Sequence, residues 1–295
     1  MPIRPHAALA LALATLAAAA WPARAADPVA SGGVADLLGA RTLALGAGVG
    51  VLSGNEGIFV NPGAIAARKR YSADTFFTLD RRGSTTVGRY LGGSVVDGIS
   101  SAPAAVSFGY LRALDDATNG AGNLVTFGLA LPVASRVWLG AQGRWLDAKG
   151  VERVNAVTAD AGLFWEVSDA VTFGLAGYNL VPVGHERLLP RGLGAGVAVG
   201  SDTGFKLTGD WRADFDRAGK TTNRYGAGAE LLLGNMVPVR AGFVKDETLA
   251  TSWWSAGAGL VSTSGLAVDL GYRQSLDATD ARTISVAIKT FALDL

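Results

Sequence analysis

The sequence predicts an all-β protein, an antiparallel transmembrane β-barrel of about 14 strands with an N-terminal hatch-like segment. Strands of alternating apolar and polar residues recur from residue 71 to the end of the chain. Several of these strands are about 10 residues long, which suits a tilted strand across a bilayer. The connections between them alternate between longer polar loops and short turns. Because no apolar run of about 18 residues follows the N-terminus, membrane-spanning helices are not predicted.

Residues 205–215, F-K-L-T-G-D-W-R-A-D-F, show the strand pattern most clearly. Phe205, Leu207 and Trp211 fall on one face of a strand, and charged residues fall on the other. An ordinary globular strand is about 5–6 residues long, so this one is long. The same stretch would also suit a long strand of a soluble sandwich, and the rest of the chain has to distinguish the two.

The composition fits a membrane protein. Hydrophobic residues make up 49% of the chain and charged residues 17%, with 40 Gly and no Cys. Removal of Arg4 and Arg24 with the predicted leader leaves 24 basic against 25 acidic residues. This balance gives no indication of nucleic acid or of an anionic membrane surface as a partner. The absence of Cys excludes disulfides and thiolate metal sites.

The N-terminal residues 1–25 are predicted to be a cleaved signal peptide. Arg4 supplies the positive charge, residues 7–20 form the apolar core, and Ala23-Arg24-Ala25 is an A-x-A cleavage site. The mature chain is therefore expected to begin at Ala26 and to be exported.

Residues 26–70 are predicted to form a hatch or plug. Residues 34–38 suit a short helix, and residues 42–52, T-L-A-L-G-A-G-V-G-V-L, are predicted to be a strand that is covered on both faces. Asn61 is expected to cap a short helix with Pro62 at its first position. The basic residues 68–70 would then lie near the C-terminal end of that helix.

Residues 71–295 are predicted to form the barrel. The loops that follow odd-numbered strands are mostly long, and the turns that follow even-numbered strands are short, as in outer-membrane barrels. Many Trp and Tyr residues fall near strand ends, where interfacial girdles lie. The predicted strands are 71–80, 85–97, 104–112, 124–131, 137–147, 156–166, 171–179, 191–200, 205–215, 223–233, 236–245, 253–261, 265–274 and 282–292.

Two groups of residues resemble the FadL-like outer-membrane proteins, the long-chain fatty-acid transporter family and its PorV-like relatives. The first group is the Gly-rich stretch 40–48, followed by Gly-Asn-Glu-Gly at 54–57 and by Asn61, Pro62 and Gly63. The family usually has Asn-Pro-Ala at this hatch motif, so Gly63 is a departure. The second is Gly-Tyr-Asn-Leu at 177–180. The resemblance implies a hatch inside the barrel and passage of hydrophobic molecules.

Small residues at the expected inward positions agree with an enclosed hatch, because they leave room for it. These positions are Gly174, Ala176, Gly194, Gly196, Gly226, Gly228 and Gly242.

No catalytic, metal or cofactor site is predicted. The mature chain has one His, His185, in a predicted loop, and a lone loop His is usually solvated. Motifs for nucleophilic hydrolases, phosphate-binding loops and zinc proteases are absent from the sequence. Residues 115–120 lack the later Glu of a calcium loop and suit a surface turn.

Charged residues of both signs are expected to face the lumen. They either contact a hatch and a passing ligand or form a network that braces the barrel, and the need to pair enclosed charges favours the network. They are Arg144, Asp160, Asp210, Arg212, Asp214, Arg224, Glu230, Arg240, Asp269, Arg273 and Lys289.

The first functional hypothesis is uptake or diffusion of small hydrophobic molecules across the outer membrane of a Gram-negative bacterium. Its expected partners are membrane lipid and a hydrophobic ligand, with no nucleic acid. The alternative is a PorV-like structural or secretion-associated scaffold that binds a protein partner through extracellular loops such as residues 113–123. A third possibility is a soluble periplasmic β-sandwich, which would be extracted without detergent.

Overall fold

In a computed structural model of the chain, the described residues are 39–114, 121–149, 153–186, 188–215 and 219–292. Each strand pairs antiparallel with its neighbour in the sequence, and β1 pairs with β14, so the sheet closes into a barrel. The strands are β1 (Tyr71–Arg82), β2 (Thr85–Asp97), β3 (Ala105–Leu114), β4 (Ala121–Ala134), β5 (Val137–Lys149), β6 (Arg153–Ser168), β7 (Val171–Tyr178), β8 (Gly192–Gly200), β9 (Phe205–Asp214), β10 (Thr222–Leu233), β11 (Val237–Asp246), β12 (Thr251–Val261), β13 (Leu266–Ser275) and β14 (Ala281–Ala292). The predicted closed barrel of 14 strands is confirmed.

The alternation of side chains decides which face of each strand meets the lumen. On β9, Phe205 and Leu207 are exposed on the outer wall, whereas Lys206 and Thr208 are buried. The third possibility, a β-sandwich, is wrong, because the 14 strands close into one barrel that leaves no free sheet edge. No helix among the described residues is long and apolar enough to cross a membrane.

The connections define two ends of the barrel, which we call the loop end, after odd-numbered strands, and the turn end, after even-numbered strands. The β7–β8 loop spans residues 179–191, whereas β4 and β5 are joined by residues 135–136. Three connections depart from the pattern. After odd-numbered strands, β1–β2 has only residues 83–84 and β5–β6 only residues 150–152, and after an even-numbered strand β2–β3 has residues 98–104. Because β1 begins at the turn end, the preceding segment enters the barrel there.

Residues 39–70, which we call the lumenal segment, lie within the barrel and contact strands around its circumference. They contain α1 (Ala40–Leu45), a 3-10 turn (Gly54–Glu56), α2 (Gly57–Val60) and a 3-10 helix (Pro62–Ala66). Asn61 caps the last of these as predicted, its side chain accepting a hydrogen bond from Gly63 N at 3.1 Å. The predicted signal peptide, residues 1–25, and the helix at 34–38 lie outside the described residues.

The strand predicted for residues 42–52 is wrong. Its first part is the helix α1, which ends at Gly46, where φ is 64° and Gly46 N donates to Thr42 O at 3.0 Å. A short apolar run fits a buried helix as well as a strand, and periodicity does not separate them. A helix satisfies its own backbone hydrogen bonds, which a single strand in a lumen could not.

Apolar residues of the lumenal segment join the inner wall in one core on the β1–β6 side. Ile58, Phe59 and Ile65 belong to this core. Leu188 and Leu189 of the β7–β8 loop reach into the same core from the loop end and are buried. The lumen is therefore filled on this side, from the lumenal segment up to that loop.

Candidate functional site in the barrel lumen

Inward-facing glycines form a seat for the backbone of the lumenal segment. A Cβ added to Gly140 would lie 2.2 Å from Pro62 O, and one on Gly174 would lie 2.0 Å from Val49 O. Real Cβ atoms do not approach so closely, so only glycine fits at these positions. The other seat glycines and their nearest segment residues are Gly162 with Asn61, Gly196 with Gly50, Gly226 with Gly46, Gly228 and Gly242 with Leu45, Gly257 with Ala44, and Gly271 with Ala40.

Asn61 of the predicted hatch motif connects three parts of the structure. Its side-chain oxygen caps the 3-10 helix, and its Nδ2 donates to Val49 O at 3.0 Å and to Leu163 O of β6 at 2.9 Å. The side chain is fully buried. Pro62 and Gly63 contribute through the close backbone approach to Gly140 and Gly162. The motif thus fixes the segment to itself and to the wall.

Further polar side chains of the wall hold the segment by its backbone. The Asp210 carboxylate accepts hydrogen bonds from Gly48 N and, at 2.7 Å, from Val49 N. The Tyr178 hydroxyl donates to Val60 O at 2.8 Å. These bonds satisfy peptide groups that no secondary structure pairs, which is necessary in a buried segment.

Ion pairs tie the segment to the wall on its turn side. Arg41 binds Glu230 in a bidentate pair at 2.9 and 3.0 Å. Glu230 also accepts from Arg240 at 2.5 Å, and Arg240 pairs with Asp269. The four groups alternate in charge along the chain of contacts Arg41, Glu230, Arg240 and Asp269, so the charges of the cluster balance.

A second tie joins Glu56 to Lys289 of β14. Burial alone would raise the pKa of Glu56, but the Lys289 ammonium and then Arg41 hold that pKa down at about 2. Burial likewise would lower the pKa of Arg41, but the neighbouring Glu230 raises it. Both side chains of the segment are therefore charged at neutral pH.

The remaining predicted lumen charges pair within the wall. Arg144 binds Asp160 at 3.0 Å, and Arg212 binds Asp214 at 2.8 Å. The Arg224 guanidinium lies 3.8 Å from an Asp246 oxygen. Two of these pairs, Arg144 with Asp160 and Arg224 with Asp246, join neighbouring strands, and the choice between bracing and ligand contact stays a prediction.

Two arginine side chains of the wall also lie over aromatic rings. The Arg212 guanidinium carbon lies 4.2 Å from the centre of the Tyr178 ring, and that of Arg273 lies 4.6 Å from a Trp253 ring centre. Such cation–π contacts orient the guanidinium groups on the loop side of the segment.

The lumenal segment separates two spaces. A small pocket of about 80 Å³ on the loop side has apolar walls from Leu43, Phe59, Val60 and Val244, with Arg212 among its polar residues. A cavity of about 470 Å³ on the turn side is lined by charged residues of the segment and the wall.

Arg41 and Glu56 join the segment to Glu230 and Lys289, and neither residue was predicted as a site residue from the sequence. The available signal was the isolated charge of each within an otherwise apolar stretch, since an enclosed charge needs a partner. Among the described residues no group of three side chains could hold a metal ion. His185 lies in the β7–β8 loop, where its backbone oxygen accepts hydrogen bonds from Leu188 N and Leu189 N.

No protein-family model matches the chain, and no curated protein matches it in sequence. Solved structures match it in fold. The CymD monoaromatic hydrocarbon channel has a TM-score of 0.63 at 13% identity, over 87% of this chain and 97% of CymD. The Pseudomonas putida toluene transporter TodX has 0.61 at 9%, over 88% and 99%. A Pseudomonas aeruginosa FadL homologue has 0.59 at 13%, over 90% and 99%. At these identities the likeness establishes the fold.

Proposed function

We propose that the protein is a channel of the Gram-negative outer membrane for small hydrophobic molecules, and that residues 26–70 form its hatch. The observation that carries this proposal is a largely apolar pocket whose turn-side boundary is the lumenal segment, which noncovalent contacts hold against the wall. The names of the matched structures, a monoaromatic hydrocarbon channel, a toluene transporter and a FadL homologue, support it. The predicted signal peptide at residues 1–25 would deliver the chain to that membrane.

The outer wall suits lipid. Leu139, Val197, Val239 and Leu270 are exposed large apolar side chains on four different strands. In a soluble protein a continuous belt of this kind would favour aggregation, whereas in a bilayer it is stabilising. Membrane lipid is therefore a partner in the proposal.

The pocket indicates a small apolar ligand. Its volume is about 80 Å³, and a dry cavity that binds benzene in another protein has about 150 Å³. A single aromatic ring thus needs some displacement of the pocket floor. Residues 46–49 of the segment form that floor. Entry of ligand and movement of the hatch are therefore coupled in this account.

The barrier between the two spaces is thin. Thr42 and Val49 line the loop-side pocket, and Arg41 and Val51, one and two residues away in the sequence, line the turn-side cavity. A local shift of residues 46–50 would join them. The strands around this stretch, by contrast, are fixed by a continuous ladder of hydrogen bonds.

The alternative scaffold role gains no support from the matched structures. Part of the loop proposed for a protein partner, residues 115–120, lies outside the described residues. Loop-mediated binding of a protein partner stays a prediction from the resemblance alone.

Uptake by intact cells tests the proposal. Cells that make the protein should accumulate radiolabelled toluene several-fold faster than cells without it, and a sugar of similar size should show no such difference. Val244→Phe fills the pocket and should remove most of the gain. Val239→Phe, on the same strand but facing lipid, is the matched control and should not. Equal toluene uptake with and without the protein would contradict the channel.

A further inference from the structure

Four arginines lie on the outer wall near the loop end, on four adjacent strands. They are Arg282 on β14, Arg81 on β1, Arg89 on β2 and Arg112 on β3. Each has the parity of the lipid-facing residues of its strand, such as Phe77 on β1, and none is buried. We call these four residues the arginine row.

The register places the members of the row beside one another. Arg81 is directly opposite Arg282, where Cβ atoms are about 4.5–5.5 Å apart. Arg89 is opposite Leu79, so it is the diagonal neighbour of Arg81, at about 7–8 Å. By the same relation Arg112 is the diagonal neighbour of Arg89. Arginine side chains are long enough for adjacent members to bind one ligand group.

Three charges of the row, those of Arg81, Arg89 and Arg282, are not neutralised by the described part of the wall. Arg81 Nη2 donates to Ser84 O at 2.8 Å, and Arg282 Nη2 donates to Gly83 O at 3.1 Å, both neutral carbonyls. Among the described residues, no carboxylate forms an ion pair with Arg81, Arg89 or Arg282. Like charges directly opposite on two strands are destabilising, so an external anion would stabilise this face.

Asp280 of the β13–β14 loop carries an exposed carboxylate at this end of the barrel. Its backbone oxygen accepts a hydrogen bond from Gly83 N at 2.9 Å, but its side chain makes no ion pair within the described chain. One carboxylate would in any case not balance the three guanidinium groups of Arg81, Arg89 and Arg282.

The opposite side of the barrel is different. The outward residues at the loop end of β9 to β13 are mostly aromatic or neutral, with Lys245 as the single cation among those described. They are Trp211, Asn223, Tyr225, Lys245, Trp254 and Gln274. At the loop end the outer wall is therefore more positive on β14 to β3 than on β9 to β13.

A ligand of this face must be both anionic and apolar. Phe77, Leu79, Leu91 and Ile284 lie on the outer wall of the same strands, next to the arginines. Guanidinium groups bind phosphate oxygens in a bidentate manner, and phosphates at the edge of an apolar belt are those of lipid headgroups.

We propose that the arginine row binds the two phosphates of lipid A, the phosphorylated glycolipid of the outer leaflet, while its acyl chains cover the apolar residues beside the row. This inference rests on the proposed outer-membrane location and concerns a site on the outer wall, apart from the lumen.

Binding to the purified protein in detergent tests the inference. Native mass spectrometry should show tighter binding of bisphosphorylated lipid A than of dephosphorylated lipid A or phosphatidylglycerol. The triple variant R81Q/R89Q/R282Q should bind lipid A about 100-fold more weakly, since each basic side chain near an anionic surface contributes roughly a fivefold factor. Lys245→Gln is the matched control and should bind as the wild type does.

Equal affinity for lipid A and phosphatidylglycerol, or an unchanged affinity of the triple variant, would overturn the proposal. Heat-dependent gel mobility should first show that the triple variant is a folded barrel. Toluene uptake should be the same in the triple variant and the wild type. If the channel proposal is wrong, neither the wild type nor the triple variant should increase toluene uptake, whether or not they bind lipid A.

Discussion

Gly140 of β5 and Pro62 of the lumenal segment are in backbone contact, and a Cβ on Gly140 would lie 2.2 Å from Pro62 O. Contacts of this kind recur around the barrel, so at these glycines the segment rests on the wall through its main chain. A seat without side chains lets the segment lie close against the wall.

Gly140→Ala should displace the segment. Overpacking of this kind costs about 1–3 kcal/mol, and here the strain falls on the segment because the strand is fixed on both sides. We expect lower stability to urea and a higher ion conductance in planar bilayers. Gly143→Ala on the same strand is the control, because a Cβ there meets nothing within 4 Å. Equal behaviour of the two variants would contradict the glycine seat.

Asn61→Asp should be about as harmful as Asn61→Ala. At an ordinary helix start Asp replaces Asn with little cost. Here Asp would lose both Nδ2 donors and bring a carboxylate against Val49 O and Leu163 O. Each variant should lose about 1–3 kcal/mol of unfolding free energy. A wild-type stability for Asn61→Asp would show that capping is the only role of this side chain.

Acid should loosen the segment. The pKa of Glu56 is about 2, against an ordinary value of 4.5. A depressed pKa means that the charged form stabilises the fold above about pH 4.5, and that this contribution, about 3 kcal/mol, is lost as the pH falls through about 2. Ion conductance should therefore rise between about pH 4 and pH 2. In Glu56→Gln it should be raised already at neutral pH, with little further change.

Glu230→Gln should weaken the attachment of α1. It leaves Arg41 and Arg240 near each other with one carboxylate, that of Asp269, and removal of one partner of a buried pair costs about 3–5 kcal/mol. Protease cleavage within the segment should become faster. Glu247→Gln, on an exposed loop residue, is the control. Unchanged cleavage of Glu230→Gln would show that this cluster does not hold the segment.

The strands were predictable because the lipid and lumen faces impose strict alternation. β2 begins and ends at the predicted residues, and β6 extends only three residues before and two after its prediction. The ends of the strands were predicted less accurately than their centres. At the polar rim of a barrel the strands continue to pair by hydrogen bonds, but their residues no longer alternate between apolar and polar.

The segment inside the barrel was less predictable. The small apolar residues at 40–45 are compatible with either a helix or a strand. The contacts with the surrounding wall determine which one forms. The alternation of residues along each strand indicated which charged side chains face the lumen. It could not indicate their partners, because Arg41 and Glu230, for example, are 189 residues apart in the sequence. The arginine row was missed because net charge carries no information on placement.

Conductance of a deletion variant lacking residues 39–68 tests the central claim most directly. If the segment closes the lumen, single-channel conductance in planar bilayers should rise from near zero to the range of an open porin, while heat-dependent gel mobility shows a folded barrel. A folded deletion variant that conducts no more than the intact chain would contradict the account.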